Sequence, residues 1–188
     1  MIGNAILNHF DWYMEKQGIN FIRYADDFVL LTQTQQEAER ALDLARNFIE
    51  GELLLTLHTE KTKIVHLSEG FNFLGFFFTE RSIVMRDKSK EKFKEKIKQL
   101  TIRSHNLDME VITRINLVIR GTANFFYTNF SDVRIQFREL DCFVRKRLRC
   151  MKYKRFSLSD NSHLLNKHLQ QMGLLNILKV GEARMIST

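Results

Sequence analysis

The chain has 188 residues, 44% hydrophobic and 27% charged, with 16 Phe, enough apolar material to bury a core in one domain or two small subdomains. No stretch is long and apolar enough to span a membrane, and the N-terminus lacks a basic-then-apolar signal, which predicts a cytoplasmic protein with no membrane partner. Cys142 and Cys150 fall eight apart on one predicted helix, too far apart to bridge, and reduced thiols suit the cytosol. They lack His partners at ligand spacing, which argues against zinc, and His163 and His168 read as surface residues.

The formal charge of +7 is unevenly spread. Residues 1–80 carry 6 Lys and Arg against 12 Asp and Glu, whereas residues 81–155 carry 20 against 8. The second region is therefore where a polyanion is expected to lie.

In chain order, apolar spacing predicts a helix over 3–16, with Ile2, Ile6, Phe10 and Tyr13 on one face. A hairpin follows at 20–32. A helix over 35–50 opens with Thr34-Gln35-Gln36-Glu37, the Thr-x-x-Glu spacing of a capping box, and carries Ala38, Ala41, Leu42, Ala45, Phe48 and Ile49 at helical intervals. Short strands are expected at 54–57 and 62–66, then at 71–78 and 82–85. The lysine-rich segment from Asp87 to Ile102 begins a helical region, continued by helices at 109–127, 132–152 and 161–171. The last residues read as a weak apolar end. The boundary is expected around Arg86-Asp87-Lys88, dividing the chain into 1–86 and 87–188. The fold class is α+β: an antiparallel sheet with helices, then an α-helical bundle.

The helix at 132–152 has two stripes. Val133, Phe137, Leu140, Val144, Leu148 and Met151 form an apolar one, and Arg134, Arg138, Arg145, Arg149 and Lys152 form a basic one about 100° around the helix, interrupted by Asp141. With Lys146 and Arg147, this density of cations points to phosphate contacts. Tyr127, Tyr153 and Phe156 are candidates for stacking on bases or ribose. Lys88, Lys90, Lys92, Lys94, Lys96 and Lys98 spread charge around their helix, as fits either a solvated surface or a nucleic-acid backbone.

The hairpin carries Tyr24-Ala25-Asp26-Asp27 between Phe21-Ile22-Arg23 and Phe28-Val29-Leu30-Leu31. Adjacent carboxylates near a sheet are costly unless a cation neutralises them. An Asp pair between strands is by itself most often a polar turn; here the segments that follow distinguish it. They are the capped helix, then Leu55-Thr56-Leu57-His58-Thr59-Glu60-Lys61-Thr62-Lys63-Ile64, then Phe71-Asn72-Phe73-Leu74-Gly75-Phe76. In this order they resemble the palm of reverse transcriptases, in the Tyr-Ala-Asp-Asp form of group II intron-encoded proteins. Gly121-Thr122-Ala123-Asn124-Phe125-Phe126-Tyr127 and Leu140–Arg149 resemble the thumb or maturase region of the same proteins. The likeness runs from about Ile2 to Arg155.

The resemblance implies an RNA-directed DNA polymerase with an RNA-binding maturase role. Asp26 and Asp27 would be catalytic and would bind Mg2+, two ions in the complete enzyme. Tyr24 would lie beside the nucleotide or primer end. Lys61, Leu74 and Gly75 would help place the primer. Arg134, Arg138, Arg145, Lys146, Arg147, Arg149 and Lys152 would hold nucleic acid. The implied partners are an RNA template, an RNA/DNA duplex and intron RNA. The family's fingers, first metal-binding Asp and Pro-Gln-Gly segment have no counterpart, since the chain has no Pro and only Asp11 and Glu15 precede the hairpin, both on a predicted helix. The chain thus reads as a C-terminal portion, expected not to polymerise DNA alone. The alternatives are a non-enzymatic RNA-binding module that aids intron folding and splicing, and a degenerate product.

Overall fold

A computed structural model describes residues 2–186, and of Ile2 the backbone only. The chain divides into two compact units, Met1–His66 and Leu67–Thr188.

In the first unit, helix α1 (Ile2–Lys16) and helix α2 (Gln35–Arg46) pack beside an antiparallel hairpin of β1 (Asn20–Tyr24) and β2 (Asp27–Leu31). The register runs from Asn20 opposite Leu31 to Tyr24 opposite Asp27. The capping box forms as expected: the Glu37 amide donates to Thr34 Oγ1 at 3.2 Å, and the Thr34 amide donates to Glu37 Oε2 at 3.3 Å. After α2 the chain widens into a π-helical turn, Asn47–Glu52. The core consists of Phe10, Met14, Ala45 and Ile49, with Leu7, Tyr13, Phe21, Phe28, Leu30 and Phe48 packed against it. The inner face of α1 is turned slightly from the expected one. Leu7 and Met14 point inward, whereas Ile6 is 38% exposed and the side chain of Ile2 lies outside the described residues.

The strands expected at 54–57 and 62–66 do not form. Both segments are irregular, joined by a turn in which the Lys61 and Thr62 amides donate to the His58 carbonyl. Alternating apolar residues make a strand only where a neighbouring strand takes up the backbone hydrogen bonds. No described strand of the unit pairs with these segments.

The second unit contains a meander of β3 (Phe71–Phe73), β4 (Phe76–Phe78) and β5 (Ile83–Met85). Helices α3 (Asp87–Leu100), α4 (Met109–Phe126), α5 (Arg134–Tyr153), α6 (Asp160–His163), α7 (Asn166–Gln171) and α8 (Ile177–Ile186) follow. Phe76 and Met85 share one core with Ile97, Ile115, Ile119, Phe137 and Leu148. Gln136 of α5 grips both backbone groups of Met85, accepting from its amide at 2.9 Å and donating to its carbonyl at 2.8 Å. By compactness the meander stands with the helices, the two units meeting between His66 and Leu67. β4 and β5 bury Phe76 and Met85 against the helices.

The apolar stripe of α5 is buried along its whole length. Asp141, which breaks the basic stripe, is buried too. Its Oδ1 accepts from the Ile177 amide at 3.1 Å and its Oδ2 from Asn176 Nδ2, so it grips the start of α8. Desolvation raises the Asp141 carboxyl above the usual range, against the opposing pull of those hydrogen bonds and of Arg145. α8 packs along α4, and Gly181 permits this: a Cβ there would stand 2.5 Å from the Tyr127 ring. Among the described residues no helix is long and apolar enough to cross a membrane.

Candidate functional site

The β1–β2 turn has two central residues, Ala25 and Asp26. Ala25 adopts φ 56°, the left-handed backbone that such short turns require and that glycine usually supplies. The turn brings Tyr24, Asp26 and Asp27 together at one tip. All three are exposed, Tyr24 to 65%. An open groove of about 680 Å³ beside the tip is lined by Asn4, Ala5, Asn8, Arg23, Tyr24 and Ala25.

One residue ties the turn to α1. Arg23 donates from Nε to Asp11 Oδ1 at 2.7 Å, from Nη2 to Asp11 Oδ2, and from Nη1 to the Ala25 carbonyl at 2.8 Å. The fork of a guanidinium suits this double contact with a carboxylate. The hydrogen bond to Asp11 holds the Arg23 pKa above its ordinary value. Sequence reading did not single out Arg23. Asp11, noted as an upstream carboxylate on a helix, is engaged here as the partner of Arg23.

Asp26 and Asp27 offer hard carboxylate oxygens of the kind Mg2+ prefers, and no described residue bonds to them. Their number falls short. Among the described residues no group of three His, Cys, Asp or Glu stands close enough to hold a metal ion. The donors fit the ion in kind and do not complete its site, and no catalytic step is derived through it.

Lys61 is exposed in the turn after His58. Leu74 and Gly75 belong to the second unit, where they form the β3–β4 turn with φ 48° and 86°. The Gly75 carbonyl accepts from the Arg86 amide at 3.0 Å and from Ser89 Oγ at 3.1 Å. A Cβ on Gly75 would meet Ser89 Oγ at 3.3 Å and the Phe126 ring at 3.4 Å.

The cations of α5 fall into two groups. Some are bound within the protein. Arg147 reaches Thr101, donating from Nε to Oγ1 at 3.0 Å and from Nη2 to the carbonyl at 2.7 Å. Arg149 donates to the Leu164 carbonyl and to Asn166 Oδ1, and burial lowers its pKa. Arg134 pairs with Glu182 at 2.9 Å and lies over the Tyr127 ring. Arg145 is partly buried, 3.7 Å from the Asp141 carboxylate. Arg138 and Lys152 are exposed, and Lys146 sits 4.2 Å from the ring centre of Phe156. On α3, Lys90, Lys94 and Lys98 pair with Asp87, Glu91 and Glu95 at 2.6–2.7 Å. Lys90 and Lys94 hold the Asp87 and Glu91 carboxyls, respectively, below their usual range. Half of that lysine run is thus neutralised within its own helix.

Comparison with known proteins divides the chain elsewhere, between residues 78 and 90. Residues 2–78 match the family model for reverse transcriptase (RNA-dependent DNA polymerase). Residues 90–172 match the group II intron, maturase-specific domain. Protein YkfC of Escherichia coli (strain K12) is 40% identical over 72 residues, which are 38% of this chain. The match spans 18% of that relative's length. The chain thus joins a reverse-transcriptase segment bearing the Tyr24–Asp27 turn to a group II intron maturase-specific domain bearing α5.

Proposed function

We propose that this chain contributes to RNA-directed DNA polymerisation of the group II intron type, and that its helical unit binds RNA in a maturase role. The observation that carries the reading is the exposed Asp26–Asp27 pair on a braced turn, in a chain that matches both family models. Asp26 and Asp27 would supply two carboxylates toward Mg2+, fewer than the ion's site needs. In a completed site Asp26 and Asp27 would help hold Mg2+, which would supply Lewis-acid chemistry for nucleotide transfer. Tyr24 lines the groove beside the tip, where it would meet the nucleotide or primer end. The partners are an RNA template, an RNA/DNA duplex and intron RNA, held by Arg138, Lys152, Lys146 and the remaining cations of α5 through phosphate contacts. The compartment is the cytoplasm.

A second reading, a non-enzymatic RNA-binding module, is favoured by the absence of a third carboxylate near the tip among the described residues. Manganese titration followed by NMR separates the two. The polymerase reading expects broadening of the Tyr24–Phe28 amides that disappears in Asp26→Asn plus Asp27→Asn. No broadening at millimolar manganese supports the module. RNA affinity, measured by fluorescence anisotropy across a salt series, should fall steeply with salt and survive the double Asp substitution. Failure of the purified chain to bind RNA at low salt removes both readings.

A further inference from the structure

The end of α5 and the segment after it enclose a cavity of about 420 Å³. Lys154 ends the helix in the left-handed conformation, φ 58°, and the chain turns back through Phe156 and the short helix α6. Arg145, Lys146 and Arg149 line one side; Phe156, Leu158 and Asp160 line the other.

Three features suit one kind of occupant. The lining is cationic: Arg145, Lys146 and Arg149 share it with one carboxylate, Asp160, which is paired through Oδ1 with Arg155 at 3.0 Å. Although Arg149 is held by the Leu164 carbonyl and Arg145 lies 3.7 Å from Asp141, Lys146 has no anionic partner among the described residues. A half-exposed aromatic ring stands at the opening, with Phe156 exposed to 52%. Asp160 is itself buried, and its Oδ2 has no hydrogen-bond partner among the described residues, a rare state for a buried carboxylate oxygen. Cation, aromatic face and spare acceptor are the groups that hold phosphate, base and base N–H in single-stranded RNA recognition. The volume lies within the range of roughly 300–1,000 Å³ usual for small-ligand sites. A duplex keeps its bases stacked and paired, so it offers phosphates to such a site but no base to its ring.

We propose that this cavity captures one unpaired nucleotide of an RNA strand, with its phosphate on Arg145 and Lys146, its base on Phe156, and a base N–H directed to Asp160. The inference rests on the RNA-binding reading above and narrows it, for this end of α5, from duplex shape to an unstacked base.

The test uses the 188-residue chain with three probes: a labelled single-stranded RNA oligonucleotide, a blunt RNA duplex of the same length, and AMP. Phe156 is surface-exposed, so its substitution leaves the core intact. Phe156→Ala should weaken single-strand binding by about 5- to 30-fold, as expected for loss of one stacked base, and duplex binding by less than about 2-fold. Phe156→Trp should restore affinity, and its indole fluorescence should be quenched by the single strand and not by the duplex. Equal weakening for both RNAs, or no change for the single strand, overturns the proposal while RNA binding stands. AMP binding as tight as the oligonucleotide overturns it in favour of a free-nucleotide site. If the wild-type chain binds neither RNA, both the site and the RNA-binding reading fall.

Discussion

Two hairpins in this molecule solve the same backbone problem and then diverge. Both reverse direction through two residues, between Tyr24 and Asp27 in the first and between Phe73 and Phe76 in the second. Both enter the left-handed region, through Ala25 in one and through Leu74 and Gly75 in the other. The second turn lies against Ser89 and Phe126, and its carbonyl is consumed by the start of α3. The first keeps its side chains in solvent and is steadied by a single charged brace from β1 to α1. A turn that packs needs glycine for space, whereas a turn that presents functional groups needs restraint of its backbone alone.

Substitutions can break this contrast, and their effects should descend in order. Gly75→Val introduces both a strained φ and a contact with Phe126. It should lower the unfolding free energy by about 3 kcal/mol in urea titration. Arg23→Met leaves Asp11 without its partner and the Ala25 carbonyl without its donor. A loss of about 2 kcal/mol is expected, with faster hydrogen exchange at the Tyr24–Asp27 tip and unchanged exchange in α4 and α5. Ala25→Gly should go the other way, stabilising by about 1 kcal/mol through relief of the left-handed strain. Asp26→Asn plus Asp27→Asn should leave the urea midpoint unchanged, because neither carboxylate bonds to a described residue. A large shift there would mean that the pair serves the fold rather than a ligand.

Much of this arrangement was legible in the residues. The capping box, the hairpin around the Asp pair and the buried stripe of α5 follow from local rules with few competitors. Other features depended on partners distant in sequence. The irregular 54–66 stretch has strand-like alternation and no strand beside it. α8 carries Gly181 at mid-helix, which local propensity counts against a helix, yet the missing side chain is what lets it meet Tyr127. The helix expected at 161–171 is split at Leu164, whose backbone leaves the helical region and whose carbonyl is taken by Arg149. Among the predicted nucleic-acid cations, Arg147 and Arg149 also bind the carbonyls of Thr101 and Leu164, a role that charge spacing cannot reveal. The Arg23 brace was equally hidden, since an arginine before a turn carries no mark of its bond to a helix twelve residues earlier.

The buried aspartate of α5 has a consequence for how the chain is assembled. α8 has ten residues, too few to persist as a helix in water by itself. Its opening amides are met by Asp141 and by its own Asn176. Its order is therefore borrowed from α5, and this final segment should clasp on only once the longer helix has set. Proteolytic release of the segment from 176 onward should yield a peptide with no helical circular dichroism of its own.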